Sequence, residues 1–230
     1  MKLQQVTSKI LALIFPKRCI CCETLIENGK YLCDKCKDLI PLRDCSICTA
    51  CGQNRDLCNC QFNFDAIIAP TLYKTNGKTI MLNFKIKGMK NAADFYCDII
   101  CDNFLKMYDS KDFDAIIYVP STGKKIRTRG YNQAKLLAER ISKKLDIPIL
   151  HNTFIRTKNS KTQHNLNYSE RQANAQNSYI LKNPPPKCTN IILVDDIVTT
   201  GSTLEAISSK LKENGISKII CLVGASTQHK

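Results

Sequence analysis

The sequence predicts a doubly wound, mainly parallel α/β domain preceded by a small cysteine-rich module. Three observations carry this. Of 14 cysteines only Cys97, Cys101, Cys188 and Cys221 lie beyond Cys60, so the rest cluster between Cys19 and Cys60. Downstream, short β-branched runs alternate with segments of helical period, the pattern of strands crossing over through helices. Within that pattern, Ile191 to Val194 is apolar at every position, as in a strand covered on both faces.

The cysteine cluster places the domain boundary near residue 62, giving a module over 1–61 and a body over 62–230. Cys19-x-x-Cys22 is followed by Cys33-x-x-Cys36, and Cys48-x-x-Cys51 by Cys58-x-Cys60. Each short turn aims two sulfurs at one tetrahedral zinc, and Gly52 eases the tight turn after Cys51. Two structural zinc ions on Cys19, Cys22, Cys33, Cys36 and on Cys48, Cys51, Cys58, Cys60 are expected, with an interleaved pairing left open. Cys21 and Cys45 are spectators in this scheme. A closed four-thiolate site has no open position for chemistry, so a structural or recognition role is expected. Ahead of the cysteines, Ile10 to Phe15 is too short for a signal peptide's apolar core and reads as a short amphipathic helix.

The body follows in order. Phe64 to Leu72 reads as a strand, Lys78 to Lys87 and Ala93 to Met107 as helices, and Ala115 to Val119 as a buried strand closing on Pro120. Tyr131 to Leu145 is an amphipathic helix with Ala134, Leu137, Ala138 and Ile141 on one face. Strand-like Ile147 to Ile155 leads into a polar, basic stretch that ends near Leu181. Pro184, Pro185 and Pro186 make a loop, because proline brings no ladder donor. A strand over 191–195, a helix over 203–214 ended by Gly215, and a strand over 216–223 complete the chain. No apolar run approaches the roughly 18 residues of a membrane span.

The formal net charge is +14. Two four-thiolate zinc sites would lower it by four, to roughly +10. Between Ser121 and Arg171 the excess is concentrated: 12 Lys/Arg stand against Glu139, Asp146 and Glu170. Such a face suits a multiply charged small ligand or a polyanion.

Asp195 and Asp196 follow the strand Ile191 to Val194. Burying adjacent carboxylates is costly, so they are expected at the strand's C-terminal lip, facing a crevice. Thr199-Thr200-Gly201-Ser202-Thr203 then enters a helix whose N-terminus offers free N–H groups and a positive dipole end, a phosphate site. Acids beside a phosphate site fit a vicinal diol beside a phosphate. A ribose 5-phosphate satisfies both.

At this point the residues resemble a known family. Ile191–Thr203, IILVDDIVTTGST, is similar to the ribosyl-phosphate signature of type I phosphoribosyltransferases. With Leu13-Ile14-Phe15-Pro16, the four knuckles, Lys85-Ile86-Lys87-Gly88, Val119-Pro120 and Arg129-Gly130-Tyr131-Asn132-Gln133-Ala134, nearly the whole chain resembles the ComF family of competence proteins. The resemblance implies a sheet of the type I phosphoribosyltransferase kind behind a zinc ribbon, with PRPP (ribose 5-phosphate bearing a 1-pyrophosphate) as ligand. Asp195 and Asp196 would take the ribose hydroxyls, and Thr199, Thr200, Gly201, Ser202 and Thr203 the 5-phosphate. Pro120, Ser121, Thr122, Arg127 and Arg129 would take the pyrophosphate, bridged by Mg²⁺. Arg156, Gln163, Arg171 and Asn174 would belong to a hood over the site. Purine-salvage relatives carry a base-assisting aspartate where Thr199 stands, so the acceptor stays open. The implied role is natural transformation, with single-stranded DNA and the competence machinery as partners, in the cytoplasm near the inner face of the membrane. Tyr131 and Tyr168 are the aromatic candidates for stacking on DNA bases. A metabolic phosphoribosyltransferase acting on a nucleobase or amine, and a zinc-ribbon nucleic-acid binder, are the alternatives.

Overall fold

Helical and strand periods sort the apolar residues onto two faces of one sheet, and that sorting organises the molecule. The computed structural model describes residues 16–45, 48, 59–157 and 177–227. Within the cysteine module a single turn forms α1 (Asp34–Lys37). The body runs β1 (Ala66–Ile68), β2 (Thr71–Leu72), α2 (Thr75–Ile86), α3 (Asn91–Phe104), β3 (Ala115–Tyr118), α4 (Gly123–Arg129) and α5 (Gln133–Leu145). It continues through β4 (Phe154–Arg156), β5 (Tyr179–Leu181), β6 (Asn190–Val198), α6 (Ser202–Glu213) and β7 (Lys218–Ser226).

The main sheet is parallel, in the order β1–β7–β6–β3, with β2 also paired to β7. β4 and β5 form a separate antiparallel pair. Side chains alternate across each strand. Ile116, Ile192, Val194, Ile220 and Leu222 therefore pack under α2, α3 and α5, with Ile80, Phe84, Tyr96, Ile100, Leu137 and Ile141. Ile117, Ile191, Leu193, Ile219, Cys221 and Val223 face the other way, against Leu204, Ile207 and Leu211 of α6. Helices on both faces make the doubly wound arrangement the sequence predicts. Each fully buried Ile or Leu contributes about 1.5–3 kcal/mol. Two carboxylates tie strand starts together. Asp114 Oδ2 accepts from the N–H groups of Thr189 (2.7 Å) and Asn190 (2.8 Å), which holds its carboxyl below the usual range. Asp65 Oδ2 accepts from Ile219 N (2.8 Å).

Several boundaries differ from expectation for identifiable reasons. The first strand breaks at Ala69-Pro70, where Pro70 has no N–H, and resumes as β2. Leu72 N donates to Pro41 O and Arg43 N to Pro70 O, each 2.8 Å, so the module's last segment lies along this sheet edge. Strand character between Ile147 and Ile155 shrinks to a bridge at Ile149 and to β4, separated by a turn with Asn152 at φ 57°. A helix the periodicity does not show, α4, stands between Thr122 and Gly130.

The largest correction concerns β6. It was expected to stop at Asp195 but continues to Val198, because β7 runs alongside as far as Ser226 and keeps supplying ladder partners. Beside Asp196 the strands approach so closely that a Cβ on Gly224 would sit 2.9 Å from the Asp196 carbonyl oxygen. Only glycine fits there.

The cysteine module packs into the core beneath α2 and α3. Cys19, Ile20, Cys21, Leu32 and Cys36 join Ile80, Phe84, Phe95 and Tyr96 in one apolar cluster. Asn83 Nδ2 donates to the carbonyls of Ile20 (2.9 Å) and Cys21 (3.0 Å), and Asn76 Nδ2 to that of Cys36 (3.0 Å). Among the described residues no helix is long and apolar enough to cross a membrane. The expected N-terminal helix over 10–15 lies outside the described residues.

Candidate functional site

In an extended strand consecutive side chains leave on opposite faces, so Asp195 and Asp196 flank β6 instead of standing side by side at its lip. Asp196 shares the face of Ile192 and Val194, under α2. Its Oδ2 lies 3.1 Å from Lys85 Nζ, an ion pair whose two side chains are only 15% and 16% exposed. Asp195 shares the face of Leu193, toward α6. Its Oδ1 accepts from the Asp196 N–H at 2.8 Å. Asp195 keeps some surface, yet protein crowds its carboxyl. Burial first, and then the charge of Asp196, push the Asp195 pKa up to about 8, against the pull of Lys85 and Arg156.

More cations gather here than the acids balance. Partial burial, followed by the charges of Arg156 and Arg129 and then that of Lys85, holds Lys125 below the ordinary lysine range, and only Asp196 opposes this. Arg156 lies over the Tyr179 ring at 5.4 Å, and its buried Nε–H finds no acceptor among the described residues. Burial raises the Tyr179 phenol, while Arg156 and the Thr203 hydroxyl oppose the shift. Lys85, Lys125, Arg129, Arg156, Thr203 and the acid pair thus converge on one place.

The loop after the acids is built as the sequence suggests. Gly201 takes a left-handed conformation (φ 78°) as the N-cap of α6, a position that disfavours any Cβ. Thr200 Oγ1 lies 2.9 Å from Ser202 Oγ and 3.4 Å from Ser202 N. The Thr199 carbonyl accepts from Thr227 Oγ1 at 3.4 Å. These bonds shape a turn at the start of a 12-residue helix, whose first N–H groups lack intrahelical acceptors.

Pro120, Ser121 and Thr122 connect β3 to α4, and the motif Arg129 to Ala134 holds them. Asn132 caps α5 by accepting from Ala134 N (3.1 Å), accepts from Ser121 Oγ (3.3 Å), and donates to Val119 O (3.0 Å). Thr122 Oγ1 accepts from Lys125 N as the cap of α4. Arg129 Nη1 donates to Gln133 Oε1 at 3.2 Å, and Arg127 stays exposed. The Tyr131 ring packs on Phe84 and its hydroxyl donates to the Phe84 carbonyl. Of the expected hood, Arg156 sits on β4 beside the acid pair, whereas Gln163, Arg171 and Asn174 lie outside the described residues, as does Tyr168.

A zinc–sulfur bond of about 2.3 Å sets tetrahedral sulfurs about 3.8 Å apart. The sulfurs of Cys19, Cys22, Cys33 and Cys36 all lie within 4.8 Å of one another, and those of Cys22 and Cys33 are 3.7 Å apart. The quartet can hold a zinc ion. The Thr24 hydroxyl, 3.0 Å from Cys22 Sγ, and then the Thr24 N–H lower the Cys22 pKa to about 6, which favours the thiolate a metal needs. Cys21 is buried beside the quartet without belonging to it. Of the second expected set, Cys48 is buried and Cys60 exposed, while Cys51 and Cys58 lie outside the described residues.

The raised Asp195 pKa has a stability consequence of definite sign. Between the ordinary value of 3.8 and about 8, the folded chain keeps a proton that the unfolded chain has lost. Stability of the ligand-free protein should therefore fall as pH rises through that window and level off above it. Melting temperatures from pH 5 to 9 should show this slope in the parent and a flatter one in Asp195→Asn. Parallel slopes would contradict the assignment.

Comparison with known proteins agrees with this geometry. A family described as the phosphoribosyl transferase domain matches residues 127–230. Competence protein F of Haemophilus influenzae is 43% identical over 109 residues, 46% of this chain and 47% of that protein. DNA utilization protein YhgH of Escherichia coli O157:H7 is 35% identical over 106 residues, 46% of each chain. Competence protein ComFC of Bacillus subtilis is 26% identical over 205 residues, 83% of this chain and 82% of that protein. The chain spans about half the length of the Haemophilus and Escherichia relatives it matches. The matched domain begins within α4, so the acid pair, the threonine-rich turn and the arginine–asparagine motif all fall inside it. These matches support the resemblance to the ComF family of competence proteins and give the chain a phosphoribosyl transferase domain over residues 127–230.

Proposed function

We propose that the body of this chain binds PRPP and that the protein serves natural transformation, handling single-stranded DNA as it reaches the cytoplasm. The observation that carries the ligand is a charge imbalance. Four cations gather about two acids, one of which retains its proton near neutrality, and Lys125 is held below its ordinary range by burial first and then by the charges of Arg156 and Arg129. A ligand bearing several negative charges removes that strain, and one that also carries a diol uses the acids.

In this reading the ribose sits at the C-terminal end of β6, with a carboxyl of Asp195 and Asp196 reaching it from either side of the strand. The turn from Thr199 to Thr203 and the α6 N-terminus receive the 5-phosphate. Pro120, Ser121 and Thr122, held by Asn132, receive the pyrophosphate with Arg127 and Arg129, which supply charge-assisted donors. Arg156 approaches from the hood with an Nε–H that has no acceptor among the described residues. Diverging acids, one of them ion-paired, are a poor chelating set, so they fit a magnesium ion held by the ligand and water. When bound, magnesium supplies charge neutralisation at the pyrophosphate. Transfer to an acceptor would need a base, and Thr199 is a poor one.

The relatives' names as competence and DNA utilization proteins support the role in transformation, with the competence machinery as partner. The basic face between Ser121 and Arg171 suits a polyanion, and binding through it should weaken steeply with salt. The module over 1–61 is a scaffold with two zinc ions, the second on Cys48, Cys51, Cys58 and Cys60, beside a body over 62–230.

Titration calorimetry with PRPP and Mg²⁺ tests the ligand. Exchanging both Asp195 and Asp196 for Asn should weaken binding by at least tenfold while zinc content stays unchanged; equal affinity would defeat the diol assignment. Metal analysis of the purified full chain should return two zinc equivalents, falling to one in Cys33→Ser. One equivalent in the parent would rule out the second site.

A further inference from the structure

Of the four cations at the acid pair, Lys85 has no binding role in the ribose and pyrophosphate assignments above. It stands in the last turn of α2. Its ammonium occupies Asp196 Oδ2, one of the two oxygens that carboxylate could offer a vicinal diol. We propose that Lys85 is a ligand-binding residue that exchanges partners, holding Asp196 in the ligand-free protein and a pyrophosphate oxygen when the diol takes Asp196. The inference deepens the PRPP reading and rests on it.

Three observations support the exchange. The Lys85–Asp196 pair is largely buried, so a diol that displaced Lys85 would strand an ammonium in a poorly solvated place unless another anion met it. From its contact with Asp196, the charge of Lys85 is felt both by Lys125, which follows the expected pyrophosphate loop, and by Asp195. A lysine at a helix end has a long, flexible stem and can move its head group while the stem stays packed. A ligand that brings diol and pyrophosphate together satisfies both partners of the broken pair. Ribose 5-phosphate brings only the diol and leaves Lys85 without an anion, so Lys85 should discriminate between the two.

The test uses the full zinc-loaded chain with Mg²⁺ and three probes: PRPP, ribose 5-phosphate and inorganic pyrophosphate. Lys85→Met should weaken PRPP and pyrophosphate at least tenfold, while ribose 5-phosphate binds as before or more tightly, having lost a competitor for Asp196. Lys85→Arg should recover most of the PRPP affinity, and melting temperatures identify any variant that fails to fold. Equal loss for all three probes would reduce Lys85 to a neutraliser of Asp196 and overturn the exchange. Unchanged affinity for PRPP and pyrophosphate would also overturn it. If the parent binds pyrophosphate but not ribose 5-phosphate, the ribose reading fails separately. A tenfold pyrophosphate loss in Lys85→Met then still supports the anion contact, and no loss defeats it.

Discussion

Two adjacent carboxylates inside a buried strand are the constraint on which the rest of this protein depends. Charge at that depth needs partners, and they arrive from different elements: Lys85 from α2, the Asp196 backbone from β6 itself, and Arg156 from β4. Even so, Asp195 is crowded enough to keep its proton near neutrality. A fold selected for stability alone would fill this region with apolar side chains, since replacing buried ions with packed hydrophobic groups is often neutral or stabilising. Acids held at that cost beside surplus cations are what the proposed PRPP site rests on.

The helix that supplies Lys85 also organises its surroundings. Gly77 packs against the Leu72 carbonyl, where a Cβ has no room. Asn76 and Asn83 hold the backbone of the cysteine quartet, and the Phe84 carbonyl receives the Tyr131 hydroxyl from the arginine–asparagine motif. One two-sided helix therefore touches the metal-binding knuckles, the sheet edge and the acid pair. A metal on the quartet would order the knuckles, and an ordered knuckle would give Asn83 fixed carbonyls to hold. Through α2, the cysteine module becomes part of what positions the pocket.

Much of this was legible in the sequence, where the signals are local. β-branched runs gave β3 and β6, helical spacing gave α3 and α5, and Gly215 marked the end of α6. The four sulfurs at two-residue spacing gave a quartet that closes as a tetrahedral site does. What escaped were effects of distant partners. The acids were expected to end β6 because burial is costly, but β7 continues beside them and Lys85 takes up the charge. The helix α4 has a highly basic sequence with no apolar stripe, yet Thr122 and Gly130, a cap and a left-handed stop, bracket it. Nor does the motif Arg129 to Ala134 announce by itself that Asn132 clamps the loop after β3 and that Tyr131 reaches the α2 backbone. Lys85 stood out only as part of the motif Lys85-Ile86-Lys87-Gly88, which carries no sign of its pairing with Asp196 on a strand more than a hundred residues downstream.

A crystal structure of the full chain with PRPP and Mg²⁺ tests the central claim most directly. The expected result has the ribose hydroxyls within hydrogen-bond distance of the Asp195 and Asp196 carboxyls, the 5-phosphate against the turn from Thr199 to Thr203, and Lys85 withdrawn from Asp196. A sugar bound elsewhere, with the Lys85–Asp196 pair intact, would contradict the account.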